Sequence, residues 1–319
     1  GTCPHHEHIA DSHSIAHEAT VRAPSKKPSV CWPQKQTNLL MPRALRGSMG
    51  WRSLEEFILA LEKRGELLRV SHPVDVELEA GCIADLLVKR GGPAVIFDQP
   101  RLGDGSISRY PLAMNLFGTR ERTNLALGVE EPKEIGEIMT GLMKPDIGGI
   151  LRRPWTGLGL LKQGISMAPR KVSKGKCQQV RMDNPDVTRL PIPTTWPQDG
   201  GPFMTLPLVV TSDPETGVHN LGMYRSQVFG PDEVGLHWQK HKHGADHAEA
   251  SDDRMPVAIC LGGPPQVIFS AISPLPDNLS EYEFAGLLSG RRLKITKCLT
   301  NDLWVPADCD FVIEGYTLP

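Results

Sequence analysis

The stretch from His219 to His243, HNLGMYRSQVFGPDEVGLHWQKHKH, gathers an amide (Asn220), a guanidinium (Arg225) and the imidazoles of His219, His237, His241 and His243 in otherwise ordinary apolar sequence. An amide oxygen and an imidazole are hard-to-borderline donors. They suit Mg²⁺ or Mn²⁺ once a carboxylate completes the set and a phosphate fills the remaining positions. Arg225 adds a planar fork able to grip a carboxylate through two parallel bonds. Together these groups suit an anionic cofactor beside an anionic substrate. The same residues also suit a solvated, His-rich surface hairpin with Arg225 in a structural salt bridge, and short spacing patterns alone do not separate the two.

The elements that must hold these side chains read as β-structure. Leu221 and Met223 alternate with Asn220, Gly222 and Tyr224, the apolar run continues through Val228 and Phe229, and Gly230-Pro231-Asp232 is a turn signal. A hairpin is expected, its second limb running from Val234 to Gln239 with His237 and Trp238 on opposite faces. Trp238 also suits a barrel core. Leu206 to Thr211, Pro256 to Leu261, Val267 to Ser270 and Arg292 to Cys298 are further short apolar or alternating runs, and their spacing predicts an antiparallel barrel. Glu281 opens a helical stretch to Leu288 with Ser280 placed to cap it, where a first-turn Glu can be simply solvated.

Ahead of this half, Ser53 with Glu56 is a capping-box pattern, Phe57, Ile58 and Leu61 share one helical face, and Gly65 is placed to end the helix. Strands are expected at Glu66 to Val70, Ala94 to Phe97 and Leu112 to Leu116, and helices at Val76 to Lys89 and Pro132 to Met143. This predicts an α/β domain over 49–150 that carries no chemistry of its own. A Gly- and Pro-rich connection from Lys144 to Arg170 marks a boundary, with a cofactor-binding β domain over 151–319. Residues 1–48 open on Gly, cluster His5, His6, His8, His13 and His17, and show no apolar period. They read as a disordered or non-native leader, with a metal-binding arm as the alternative and Met49 or Met41 as the natural start.

Asn220-Leu-Gly-Met-Tyr-Arg225 resembles the N-x-x-x-x-R signature of the UbiD-like decarboxylases, the prenylated-flavin-dependent carboxy-lyases. Leu54-Glu-Glu-Phe57 through Gly65-Glu-Leu-Leu-Arg-Val70, Asp199-Gly-Gly-Pro202, Pro274-Leu-Pro276 to Gly286, and Thr300-Asn-Asp-Leu-Trp-Val-Pro306 are similar to further family segments, in order, across about residues 50 to 319. The resemblance implies a flavin-reductase-like split β-barrel after the α/β domain. It implies prenylated FMN as cofactor, held with a divalent cation, Mn²⁺ for preference, by Asn220, His243 and Glu281, with K⁺ as a further ion. Cofactor contacts carried over fall on Met223, Tyr224, Arg225, His237, Trp238, Gln239, Lys242 and His243. Arg225 is the implied catalytic residue, holding the substrate carboxylate. The chain departs from some members, which have Arg-Trp-Leu at His237-Trp-Gln239 and Arg-Gly at Lys242-His243, and this puts a quinone-pathway substrate in doubt.

The implied reaction is reversible, non-oxidative loss of CO₂ from an aromatic or α,β-unsaturated acid. It leaves electrons on an sp² carbon that an electrophilic cofactor must accept. Hydroxybenzoate-like, heteroaromatic and cinnamate-like acids all remain open. The family's acidic motif, E-G-P-[FY]-G-[DE], falls shortly after the position of Pro319, and Glu314 belongs to the preceding strand. A chain with this terminus is therefore expected to lack the proton donor and the family's C-terminal domain, and to be inactive alone. The resemblance further implies a flavin prenyltransferase as cofactor supplier and a homo-oligomer for the complete protein.

Composition sets the outer limits. A hydrophobic content of 39% and a net charge of -2 describe a globular protein with no bias toward nucleic acid or an anionic membrane. No apolar run reaches membrane-span length. The seven Cys are scattered and never form CxxC, which reads as reduced thiols and a cytoplasmic address. Two rival classes stand beside the decarboxylase: a non-catalytic flavin-binding module, and a hydrolase with a His-rich metal site supported by His237, His241 and His243.

Overall fold

Ser53 sets the first helix. Its side chain accepts a hydrogen bond from the Glu56 amide at 3.2 Å, while the Glu56 carboxylate accepts from the Arg52 amide rather than from Ser53. The computed structural model describes residues 50–143, 164–238, 243–251, 254–276 and 279–318. Gln239, Lys242, the leader 1–48, most of the 144–170 connection and the His243 side chain lie outside the described residues.

Helix α1 (Leu54–Lys63) buries Phe57 and Leu61 completely, a burial contributing roughly 1.5–3 kcal/mol each. Strand β1 (Leu67–Val70) follows, then β2 (Val74–Asp75), α2 (Glu79–Lys89), β3 (Ala94–Phe97), β4 (Pro100–Arg101) and β5 (Leu112–Met114). β3 pairs parallel with β1 and antiparallel with β5. As the central strand it is buried along its whole length, which is why it reads as an unbroken apolar run. α2 begins later than the apolar pattern suggests, because Leu78 takes a positive φ of 63° and the Glu79 amide bonds back to the Glu77 carbonyl at 2.7 Å. That tight three-residue turn stores strain of about 1–3 kcal/mol. Helices α3 (Arg120–Leu127), which the sequence reading did not anticipate, and α4 (Lys133–Met143) complete this half.

The second half is built from β6 (Arg170–Val172), β7 (Phe203–Met204), β8 (Leu208–Ser212), β9 (His219–Met223), β10 (Ser226–Val228), β11 (Val234–Leu236), α5 (His243–Glu249), β12 (Pro256–Leu261), α6 (Pro265–Ser270), α7 (Glu281–Ser289), β13 (Lys294–Lys297), β14 (Trp304–Pro306) and β15 (Phe311–Tyr316). Their sheets run β15-β12-β8-β9, β11-β10-β7 and β14-β13-β6, the last with a parallel β6–β13 pair. The architecture is mixed α/β with small sheets, and among the described residues no sheet closes into a barrel.

Two local expectations are corrected. Val267 to Ser270 is helical rather than a strand: Pro265 starts α6 and the segment is buried nearly throughout, and an apolar run that short carries no period able to separate the two states. Asn220 to Val228 is not one hairpin limb either. β9 pairs with β8, whereas β10 pairs with β7 and β11, so the chain changes sheets at Tyr224-Arg225. β11 ends at Leu236, which leaves His237 and Trp238 beyond the strand and free of its alternation.

The two halves meet in an apolar cluster. Leu127, Val129 and Ile135 pack with Phe284, Leu287 and Leu288. The fully buried Gln266 of α6 donates from Nε2 to the Ala126 carbonyl at 2.8 Å, and the Gly50 amide donates to the Ser289 carbonyl at 2.9 Å. No helix among the described residues is long and apolar enough to cross a membrane.

Candidate cofactor and metal site

Asn220 lies on β9 directly opposite Thr211 of β8, and both side chains are buried. The carboxylate of Glu281 reaches the same strand, accepting from the Leu221 amide at 3.3 Å. Its position follows from the local sequence. Ser280 caps α7 and Glu283 completes the reciprocal capping box, so Glu281, the first helical residue, is left over from capping and is half-buried against β9. The structure thus brings the Glu281 carboxylate to the backbone of the residue after Asn220.

Tyr224 closes this corner. Its hydroxyl lies by the Asn220 side chain and the Gly244 amide, and burial, with the Glu281 charge adding to it, pushes the phenol above its ordinary pKa. Two glycines make room. A Cβ on Gly222 would overlap the Tyr224 ring, and one on Gly244 would stand 3.2 Å from Trp238 Nε1 and 3.3 Å from the Tyr224 hydroxyl. The first turn of α5, which begins at His243, is therefore packed against Tyr224 and Trp238. Gly222→Ala is expected to expel the Tyr224 ring, costing about 1–3 kcal/mol. Urea unfolding together with near-ultraviolet circular dichroism of the tyrosine checks this, and unchanged stability would contradict it.

Two buried donors, Asn220 Nδ2 and Trp238 Nε1, have no well-formed hydrogen bond among the described residues. Unpaired buried donors are costly, and an anionic group with several acceptor oxygens is the chemistry that would satisfy them. The donor set fits a phosphate, and the Asn220 amide with the Glu281 carboxylate fits a hard divalent cation. No group of three or more His, Cys, Asp or Glu side chains able to hold a metal occurs among the described residues.

Neighbouring His219 is otherwise committed. Its Nε2 accepts from the Trp304 amide at 3.1 Å and its Nδ1 faces the Gly217 carbonyl at 3.1 Å, which fixes a neutral tautomer. Burial holds its pKa below the ordinary histidine value. Met223 is partly buried and packs on the core around Leu208 and Leu221. Trp238 packs on the core around Met204 and Val209, in keeping with the packing alternative, although its indole nitrogen has no hydrogen-bond partner among the described residues. Glu314 is likewise occupied, accepting from the Leu299 amide at 2.9 Å and from the Thr300 amide and hydroxyl at 2.6 Å each.

Arg225, one residue past Tyr224, faces a second environment. Its fork pairs with Asp199 through Nη1–Oδ1 at 2.9 Å and Nη2–Oδ2 at 2.6 Å, and its plane lies over the Phe203 ring at 4.0 Å. The guanidinium holds the Asp199 carboxyl below its ordinary range. His237 stands edge-on to the same ring at 5.2 Å and donates its amide to the Arg225 carbonyl at 3.2 Å. Sequence reasoning singled out Arg225 but missed Asp199 and Phe203 as its supports, and Gly222 and Gly244 as the spacers for Tyr224. An isolated glycine inside a strand pattern does signal close approach, and that signal was available at Gly222. A cleft of about 550 Å³ lined by Leu78, Asp104, Thr194, Asp199 and Pro202, among others, touches this region through the Asp199 loop and Val228 of β10.

Residues 170–319 match the family described as the 3-octaprenyl-4-hydroxybenzoate carboxy-lyase Rift-related domain, and residues 58–141 match its N-terminal domain. The chain belongs to the UbiD family. An uncharacterized protein of Archaeoglobus fulgidus is 43% identical to this UbiD-family chain over 272 residues, covering 84% of the chain and 55% of the relative. Vanillic acid decarboxylase of Sedimentibacter hydroxybenzoicus in its closed form superposes with a TM-score of 0.70 at 29% identity, over 83% of this chain and 55% of that one. The UbiD-class enzyme HmfF from Pelotomaculum thermopropionicum, in an evolved dimeric form in complex with prenylated FMN, gives 0.66 at 27% identity, over 84% and 58%. The UbiD-family chain spans a little over half the length of these relatives.

Proposed function

We propose that this chain carries the prenylated-FMN and divalent-cation site of a decarboxylase acting on an aromatic or α,β-unsaturated carboxylic acid. The observation that carries the reading is the meeting of β9 at Asn220 and Leu221, the Glu281 carboxylate and the start of α5 around buried donors with no well-formed hydrogen bond among the described residues. In this reading Asn220, His243 and Glu281 bind the cation, Mn²⁺ for preference, against the cofactor phosphate. Met223, Tyr224, Arg225, His237, Trp238, Gln239 and Lys242 contact the cofactor, with K⁺ as a second ion. The small sheets of the second half are segments of a split barrel, and the domains divide at about residue 150. A flavin prenyltransferase supplies the cofactor, and the complete protein is a homo-oligomer.

The bound prenylated flavin supplies the electron acceptor that loss of CO₂ requires. The protein's own groups do the rest. Asp199 occupies the Nη1–Nη2 edge of Arg225, leaving the side that carries Nε to receive a substrate carboxylate, while Phe203 fixes the plane of the fork. Tyr224 and Trp238 cover the corner at Asn220 and reduce its access to water, which strengthens each charge contact there.

A second reading, a flavin-binding module without turnover, draws on the Asp199 carboxylate already engaged by Arg225. One experiment separates the two: titrate the chain with FMN in the presence of Mn²⁺ by flavin fluorescence, then load prenylated FMN into a version spanning the full length of the relatives and assay CO₂ release from a panel of hydroxybenzoic, furoic and cinnamic acids. Cofactor binding with turnover is the expected result. Binding without turnover would favour the module, and absence of flavin binding would overturn both.

A further inference from the structure

Helix α5 is seven residues long and carries Gly244 in its first turn. Helices this short do not hold themselves in water, and glycine weakens this one further. Something other than its own hydrogen bonds must therefore fix where it starts. The helix packs on β8 and β9. At that junction His247 Nδ1 and Thr211 Oγ1 share a hydrogen bond of 2.9 Å, with Thr211 fully buried and His247 nearly so. The His247 carbonyl in turn accepts from the Ser251 hydroxyl at 2.8 Å, which ties down the far end of the helix.

The placement of this pair gives it a consequence beyond packing. Thr211 is the cross-strand partner of Asn220, and directly opposed residues project from the same face of a sheet. His247 follows His243 by four positions, and residues so spaced share a helix face. The hydrogen bond thus links the strand position opposite one proposed cation ligand to the helix position one turn beyond another. Thr211 is β-branched with few accessible rotamers, and the imidazole is planar, so the bond sets a distance and an angle as well as adding energy. We infer that Thr211 and His247 are a positioning pair, which fixes the spacing between Asn220 and the start of α5 and so sets how tightly the site holds its cation. This rests on the reading of Asn220 and His243 as ligands given above.

Thr211→Val keeps the shape and removes the hydroxyl, whereas Thr211→Ser keeps the hydroxyl. Two quantities are measured on the chain: Mn²⁺ affinity in the presence of FMN, by calorimetry, and amide hydrogen exchange over 243–249. The valine variant is expected to lose about 10- to 100-fold in Mn²⁺ affinity, the range found when an outer-shell partner of a ligand is removed, with faster exchange in α5. The serine variant should stay within about threefold of the parent. His247→Phe carries the same expectation as the valine variant should that one fail to fold, and His247→Asn, which keeps a polar atom near the Nδ1 position, that of the serine variant. Equal losses in valine and serine variants, or unchanged affinity with unchanged exchange in the valine variant, would overturn the pair's role. If the parent binds no Mn²⁺, the ligand reading fails with everything said here about cation affinity. The positioning of α5 is then judged on exchange alone, and is overturned if the valine variant exchanges no faster.

Discussion

In a version spanning the full length of the relatives, Arg225→Ala is expected to abolish decarboxylation, lowering kcat/KM on the order of 10³-fold or more, equivalent to about 4 kcal/mol of transition-state stabilisation, while leaving bound flavin in place. The expectation comes from where the guanidinium is held. Asp199 grips one edge through two charge-assisted bonds and Phe203 supports its flat face, so the remaining N–H donors project in a fixed direction. Fixing a fork before substrate arrives converts binding energy into orientation rather than into ordering a side chain. Arg225→Lys should rescue little of the loss, because an ammonium cannot satisfy Asp199 and a substrate carboxylate in one plane. Turnover measured beside the flavin absorbance of the same sample decides the matter. Loss of flavin from a folded variant would assign Arg225 to the cofactor, and undiminished turnover would remove it from the mechanism.

Glu281→Gln has the second largest expected effect: cation and flavin retention should fall together, each by roughly 10- to 100-fold, in line with removal of one charge-assisted contact worth about 1.5–3 kcal/mol. The substitution is close to a pure change of charge. Gln keeps an oxygen to accept from the Leu221 amide, and the capping of α7 by Ser280 and Glu283 does not involve Glu281. The thermal midpoint should therefore stay near that of the parent. Metal analysis after dialysis reads the outcome, and a full complement of metal in the variant would count against a ligand role.

Local rules carried the sequence reading where the structure obeys local rules. Ser53 capping α1, the apolar β3, and Ser280 ahead of a helix beginning at Glu281 are all set by neighbours within one or two turns. The errors arise where a distant partner decides. No Gly-Pro or Asn-Gly turn signal separates Met223 from Val228, yet β9 and β10 belong to different sheets, because β8 claims one and β7 with β11 claims the other. Val267 to Ser270 has strand-like composition and becomes helix because Pro265 opens it and its surroundings bury nearly all of it. Asp199 and Arg225 stand 26 positions apart, and nothing in either neighbourhood announces that they pair. The family signature located the candidate site, and its inner construction came only from coordinates. Gly222 yielding to Tyr224 and Thr211 meeting His247 are contacts between side chains that no periodicity encodes.

The central claim is that an amide, an imidazole and a carboxylate from β9, α5 and α7 share one cation. A crystal of the chain grown with FMN and Mn²⁺, with data collected at the manganese absorption edge, tests it directly. The account predicts one anomalous peak within about 2.5 Å of the Asn220 amide oxygen, an imidazole nitrogen of His243 and a Glu281 carboxylate oxygen, beside the flavin phosphate. A manganese peak elsewhere, or flavin bound with no metal between it and these three residues, would contradict it.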